Sequence, residues 1–216
     1  MRVFVTGGSG VLGRAVSPLL RAHGHEVAAP GRSELDLFDP AALRRAAERA
    51  GAIFHLATHI PPPEQHGNRD AWRENDVLRA EVSRLLVDAA LGAETELYVQ
   101  PSVTFLYPPG GPVDEDTPVR DVPAHLRSAL EAEAETARFA AAGGRGVVLR
   151  IGRLDGPGTW YERPDFASGS TLHVDDAGSA LVAALGVPSG VYNVCRDGER
   201  VSNARFKRAS GWRPER

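Results

Sequence analysis

The chain has 216 residues, 42% of them hydrophobic and 25% charged, with a formal net charge of −3. That length gives one well-buried core, or a core with a small appended lobe, and the charge excludes the basic field that draws in nucleic acid or an anionic membrane. Cys195 is the sole cysteine, which excludes an intrachain disulfide; with no signal-like stretch after Met1-Arg2 and no run near the roughly 18 apolar residues of a membrane span, a cytoplasmic protein is expected.

Arg2 to Thr6 is predicted as a short buried strand, and Gly7 to Gly10 as a glycine turn. Val11, Leu12, Ala15, Val16, Leu19 and Leu20 recur at helical spacing, so Gly10 to His23 is a predicted helix. Pro18 removes one backbone hydrogen bond from it and should bend it, and Gly24 ends it. Glu26 to Ala29 is the second strand. Pro40 to Ala50 is a helix with Asp39 as N-cap and Pro40 in its first turn, and Ala52 to Leu56 is the third strand. This alternation predicts a parallel sheet with helices on both faces.

Pro61-Pro62-Pro63 to Asn68 is a predicted loop, and Asp70 to Ala90 a long helix. Leu97 to Val99 is a strand ending near Ser102, and Pro108 to Pro123 is loop. His125 to Ala142 is a helix closed by Gly143-Gly144, followed by a strand from Gly146 to Ile151. Gly152 to Ser170 reads as irregular, Asp175 to Leu185 as helix, Val191 to Val194 as the last strand, and the remainder to Arg216 as a polar tail. Glu131, Glu133 and Glu135 spread around their helix and read as surface, as does the loop run Asp114-Glu115-Asp116. His55 and His59 have no third ligand at a suitable spacing, so no metal site is expected.

Thr6-Gly7-Gly8-Ser9-Gly10-Val11-Leu12-Gly13 stands where the first strand hands over to the first helix. There Gly7 permits a tight turn, Gly10 lets backbone approach a pyrophosphate, and Gly13 lets the helix pack against the sheet. The helix start, at Ser9, Gly10, Val11 and Leu12, offers N–H groups and positive dipole to phosphates.

The spacing Thr-Gly-x-x-Gly-x-x-Gly resembles that of the short-chain dehydrogenase/reductase superfamily. Phe54-His55-Leu56-Ala57, Glu74-Asn75-Asp76-Val77, Val148-Leu149-Arg150-Ile151 before Gly156-Pro157-Gly158, Leu172-His173-Val174-Asp175-Asp176, Val191-Tyr192-Asn193-Val194 and Gly211-Trp212-Arg213-Pro214 resemble segments of its extended, epimerase/dehydratase branch. The resemblance implies a Rossmann-like doubly wound parallel α/β sheet spanning 1–216 as one NAD(P)-binding domain. It makes Leu56, Ala57, Thr58 and Asn75 part of a cofactor wall. It also implies a homodimer through the helices at Asp70–Ala90 and His125–Ala142. Relative to that branch the chain is short between Gly158 and Thr171 and between Val194 and Val201, so residues of about 152–175 and 193–216 are expected to form a truncated C-terminal substrate lobe.

After the second strand the chain reads Pro30-Gly31-Arg32-Ser33-Glu34. Arg32 and Ser33 suit the extra phosphate of NADP, which makes NADP the expected dinucleotide and NAD the alternative. Asp36 and Leu37 resemble the family segment beside adenine.

The family works through a Ser or Thr, a Tyr, and a Lys four residues after the Tyr. Here Lys207 is the only lysine, and none of Tyr98, Tyr107, Tyr161 and Tyr192 precedes it by four. Ser102 keeps the serine position, with Thr104 as a nearby hydroxyl. Matching Glu133 to the family's acidic residue puts His125 at the tyrosine and Ala129 at the lysine. His125 is then a candidate proton carrier, or simply an exposed residue at a helix start. The expected function is an atypical NAD(P)-dependent epimerase/dehydratase-like oxidoreductase acting on a small carbonyl or hydroxyl substrate. The alternative is a dinucleotide-binding protein without redox turnover.

Overall fold

Val3, Phe4 and Val5 are buried on both faces of the first strand, because that strand lies inside a parallel sheet covered on both sides. The computed structural model describes residues 1–216. In chain order the elements are β1 (Arg2–Thr6), α1 (Val11–Ala22), β2 (Glu26–Ala28), α2 (Pro40–Ala47), β3 (Ala52–His55), α3 (Arg73–Val77), α4 (Ser83–Gly92), β4 (Leu97–Val103), α5 (Arg127–Ala141), β5 (Arg145–Ile151), β6 (Arg153–Asp155), β7 (Thr171–His173), α6 (Val174–Ala183), β8 (Gly190–Val194) and α7 (Ala204–Ser210).

The six-stranded sheet has the order β2-β1-β3-β4-β5-β8. Its pairs are parallel, with Val3 opposite Val27, Val5 opposite Phe54, Phe54 opposite Val99 and Val99 opposite Val147. From β1 the chain steps to one side for β2 and to the other for β3. This reversal opens a crevice beyond the C-terminal ends of those strands, the usual ligand position in an open α/β sheet.

Alternate strand residues serve opposite faces. Val5, Phe54, Val99 and Leu149 pack with Val16 and Leu20 of α1 and Ala177 and Leu181 of α6. Phe4, Ile53 and Tyr98 pack with Leu43 of α2, Leu86 and Val87 of α4 and Phe139 of α5. Each large side chain buried this way contributes about 1.5–3 kcal/mol. Asp39 caps α2 as expected, its carboxylate accepting from Ala41 N at 2.9 Å, and Pro18 lies inside α1 without ending it.

Three expectations need correction. The helix expected over Asp70–Ala90 is a 3₁₀ turn (Arg69–Trp72), then α3, then a π turn (Leu78–Val82), then α4. Apolar periodicity does not locate a single widened turn. The irregular stretch after Gly152 contains β6, which pairs with β7 in a separate two-stranded parallel sheet. Arg196 ties that sheet to the main body, Nη2 donating to Asp155 Oδ1 at 2.9 Å and Nη1 to Thr171 Oγ1 at 2.9 Å. The expected polar tail contains α7, because Phe206 is buried between the rings of Tyr192 (5.7 Å) and Trp212 (5.5 Å). Trp212 Nε1 donates to Ser179 Oγ at 2.9 Å and holds the tail on α6.

Candidate active site

A cleft of about 1270 Å³ opens at the crevice between β1 and β3 and extends over the end of β4. Two chemically different halves make it up.

In the first half, Gly7, Ser9, Gly10, Val11 and Leu12 line the cleft. Gly7 takes φ +69, and a Cβ there would come within 2.7 Å of the Ala57 backbone. A Cβ on Gly10 would meet only Gly7 O, at 3.1 Å, so backbone there is open to a ligand. The α1 N-terminus has no side-chain cap and no acidic residue in its first turn, which leaves its N–H groups for an anion. Gly13 stands behind the turn rather than on the cleft. A Cβ there would lie 2.3 Å from Gly7 O, so its role is close packing of α1 on the turn.

Leu56, Ala57, Thr58, Arg32, Asp36 and Leu37 also line this half. Arg32 Nη2 donates to Glu74 Oε1 at 3.1 Å, and Glu34 accepts from Gly31 N at 2.6 Å, which shapes the turn after β2. Two expected wall residues are elsewhere. Ser33 is exposed and outside the lining, because the turn after β2 points it to solvent. Asn75 is fully buried beneath the wall, its Oδ1 accepting from His59 N at 3.2 Å while Nδ2 has no partner. Asn75 thus holds the chain after β3 from behind.

The second half carries Ser102 and His125, brought together at the ends of β4 and of the segment leading into α5. They share no hydrogen bond. The Ser102 hydroxyl donates to Glu133 Oε1 at 2.6 Å. Glu133 also accepts from Arg150 Nε at 2.9 Å and Nη2 at 2.7 Å. The side chains of Arg150 and Glu133 are 8% and 10% exposed, which corrects the reading of Glu133 as surface: α5 turns it inward against β4 and β5. Burial opposes the Arg150 charge, but the bonds to Glu133 outweigh it and raise its pKa above the ordinary guanidinium value. Thr104 is buried outside the cleft lining, since the 3₁₀ turn after β4 carries it inward, and its hydroxyl has no partner. It is removed from the candidate site.

His125 is not freely exposed. Its ring packs against Trp72 in a tilted arrangement at 4.8 Å, and Trp72 in turn meets His66 at 5.2 Å. Burial, then the neighbouring His66 and Arg69, lowers the His125 pKa, so it is a neutral imidazole near pH 7. Phe105 and Tyr161 form a further aromatic wall, bridged by the Arg153 guanidinium at 5.3 and 5.1 Å.

Sequence reasoning missed Arg79, which lines this half and is 4% exposed. Burial pushes its pKa down to about 10, which leaves it a cation at neutral pH. Its signal was present. Arg79, Val82 and Leu86 stand at i, i+3 and i+7, so Arg79 is a charge on the buried stripe. Arg79 belongs to the π turn, an element that recurs at functional sites.

His55 holds that turn. Its Nε2 lies 3.0 Å from Leu78 O and must carry the proton, so Nδ1 accepts from Thr6 Oγ1 at 2.7 Å. Burial lowers the His55 pKa from 6.5 to about 4. The unfolded chain binds a proton here below about pH 6.5 and the folded chain does not, so this contribution is present above pH 6.5. It is lost as the pH falls toward 4, by roughly 3 kcal/mol in all. Denaturant unfolding at pH 7 and pH 4.5 is expected to show this loss, and His55→Gln to flatten it. An equal pH dependence in both proteins would refute the assignment.

The model of the NAD dependent epimerase/dehydratase family matches residues 3–171. The chain is 35% identical over 225 residues to a 3-diazoavenalumate denitrifying reductase of Streptomyces sp, with 86% of this chain and 72% of that protein covered. It is 31% identical over 237 residues to dTDP-4-dehydrorhamnose reductase of Streptomyces griseus, covering 94% and 73%. Among solved structures it is similar to RMD from Pseudomonas aeruginosa complexed with NADPH, with a TM-score of 0.80, 22% identity, and coverage of 99% and 94%.

Proposed function

The chain belongs to the NAD dependent epimerase/dehydratase family, and on that premise we propose that it is an NADP(H)-using reductase of a small, planar, electrophilic substrate. The residues present fit a dinucleotide. Gly7, Gly10 and the uncapped start of α1 would hold its pyrophosphate, Arg32 a ribose phosphate, and Leu56, Ala57 and Thr58 its nicotinamide side. When bound, the reduced dinucleotide supplies a hydride.

The observation that carries the finer reading is the commitment of Ser102 to Glu133, with no Tyr-x-x-x-Lys pair anywhere in the chain. Ser102 already gives its proton to a buried carboxylate. His125 is neutral and packed against Trp72. Such a site favours an acceptor that takes hydride without a proton from the protein, and disfavours a ketone, whose developing alkoxide needs a donor. A diazo-substituted arene is such an acceptor: a C–H bond forms, the C–N bond breaks, and its electron pair leaves on dinitrogen. The similarity to a denitrifying reductase of a diazo compound supports this narrowing of the carbonyl or hydroxyl expectation. In the same reading, residues of about 152–175 and 193–216 form a reduced substrate lobe, and the helical stretches Asp70–Ala90 and His125–Ala142 the face of a homodimer.

The test is calorimetric titration with NADPH, NADP, NADH and NAD, followed by loss of reduced-nicotinamide absorbance with an aryl diazo carboxylate and with an aryl ketone. Micromolar binding that favours the phosphorylated pair, with turnover of the diazo compound, is expected. No binding of any dinucleotide would sink the reductase reading. Turnover of the ketone alone would sink its proton-free part.

A further inference from the structure

Arg79 has no ion pair and no hydrogen bond from two of its nitrogens. Nε and Nη1 are both sealed from solvent and lack any partner. The two carboxylates that face it are already engaged. Asp76 forms an ion pair with Arg69 at 2.5 Å and accepts from Ser128 at 2.8 Å. Glu133 is held by Arg150 and Ser102. A buried cation in this state is costly unless something completes it. Yet Arg79 does not face packed protein on every side, because it forms part of the cleft wall beside Ser102 and His125.

The local charge defines what would complete it. Arg69, Arg79 and Arg150 are balanced by Asp76 and Glu133 only, which leaves one net positive charge. A monoanion neutralises that excess. A phosphate dianion overshoots it and meets two carboxylates nearby. The walls around this half are flat and aromatic, with Trp72, Phe105 and Tyr161 on the cleft. His55 fixes the π turn that presents Arg79 through its bond to Leu78 O, so the guanidinium is held in place before any ligand arrives.

We propose that Arg79 is the anion-recognition residue of the substrate pocket and takes the carboxylate of a planar, unsaturated substrate. This rests on the reading of the cleft as a reductase pocket and adds the substrate's charged group to it. The carboxylate meets the guanidinium at Nη2, which is neither sealed nor bonded within the fold, while the aromatic walls hold the body of the molecule over Ser102.

Calorimetry on the full chain, alone and saturated with NADP, would compare benzoate and cinnamate with their neutral amides. At least one acid is expected to bind tenfold or more tighter than its amide, about what hydrogen bonds to a charged group are worth. Arg79→Met is expected to abolish that difference, leave NADP affinity unchanged and not lower the melting temperature, and Arg79→Lys to restore part of it. The proposal is overturned if neither acid outbinds its amide by that factor in the wild type, or if Arg79→Met keeps the preference. Should Arg79→Met fail to fold, the wild-type ratio and Arg79→Lys decide. Acid discrimination without dinucleotide binding would keep the anion site and remove the reductase reading; dinucleotide binding without discrimination would do the reverse.

Discussion

Glu133→Ala is expected to destabilise the fold by about 3–5 kcal/mol, the usual cost of breaking a buried ion pair from one side. Glu133 accepts three hydrogen bonds, from Ser102 and from two nitrogens of Arg150, within a region where both charged side chains are nearly closed to water. Without it Arg150 keeps no carboxylate partner and rests over the Tyr107 ring, at 5.0 Å. Glu133 also offsets the charge of Arg79, so the substitution leaves two guanidiniums uncompensated. Glu133→Gln keeps the shape and some hydrogen bonds and should cost less. The double variant Glu133→Leu/Arg150→Met removes both charges and should recover much of the loss, because the penalty lies in the orphaned ion. Denaturant unfolding of the four proteins measures this. A loss below about 1 kcal/mol in Glu133→Ala would place the pair with exposed, weak ion pairs and contradict the burial argument.

Gly13→Val is expected to lower dinucleotide affinity by at least about 100-fold, equivalent to two hydrogen bonds to a charged group. A Cβ at Gly13 would lie 2.3 Å from Gly7 O and 2.6 Å from Gly8 Cα. Both are backbone atoms of the turn that would hold the pyrophosphate, and no side chain can rotate to relieve the clash. The start of α1 must therefore move off the turn, which carries its free N–H groups away from the phosphates. Overpacking adds a stability loss of roughly 1–3 kcal/mol. Gly92→Ala is the control, since a Cβ there meets nothing within 4 Å. Calorimetry with NADPH, beside melting temperatures, separates the two effects. Unchanged affinity in a folded Gly13→Val protein would show that the turn does not carry the nucleotide.

The glycine-turn half of the cleft was legible in the sequence because its determinants are local. Gly7, Gly10 and Gly13 act within seven residues, and a strand, a turn and a helix are short-range structures with their own periodicities. Asp39 as a cap is legible for the same reason. The half that carries Ser102 and His125 was read less well. Ser102 and His125 both line one cleft. The partner of Ser102 was not foreseen, and Glu133 was assigned to the surface, since a helix of alternating Ala and Glu shows no clear inward face until a neighbour supplies an arginine. Thr104 looked equivalent to Ser102 from its position two residues on, but the strand gives way to a 3₁₀ turn between them.

The sequence by itself determined the doubly wound sheet, the place of the glycine turn and the absence of a Tyr-x-x-x-Lys pair, for these follow from spacing and from counting. Only the tertiary structure decided the state of each polar group. Ser102 is bound to a carboxylate 31 residues away, His55 is neutral because burial shuts its ring off from water, and Arg79 is left without a partner. The physical reason is that a side chain's charge and its free hydrogen bonds depend on what shields it from water. In this fold that shielding comes from helices and strands far apart in the chain.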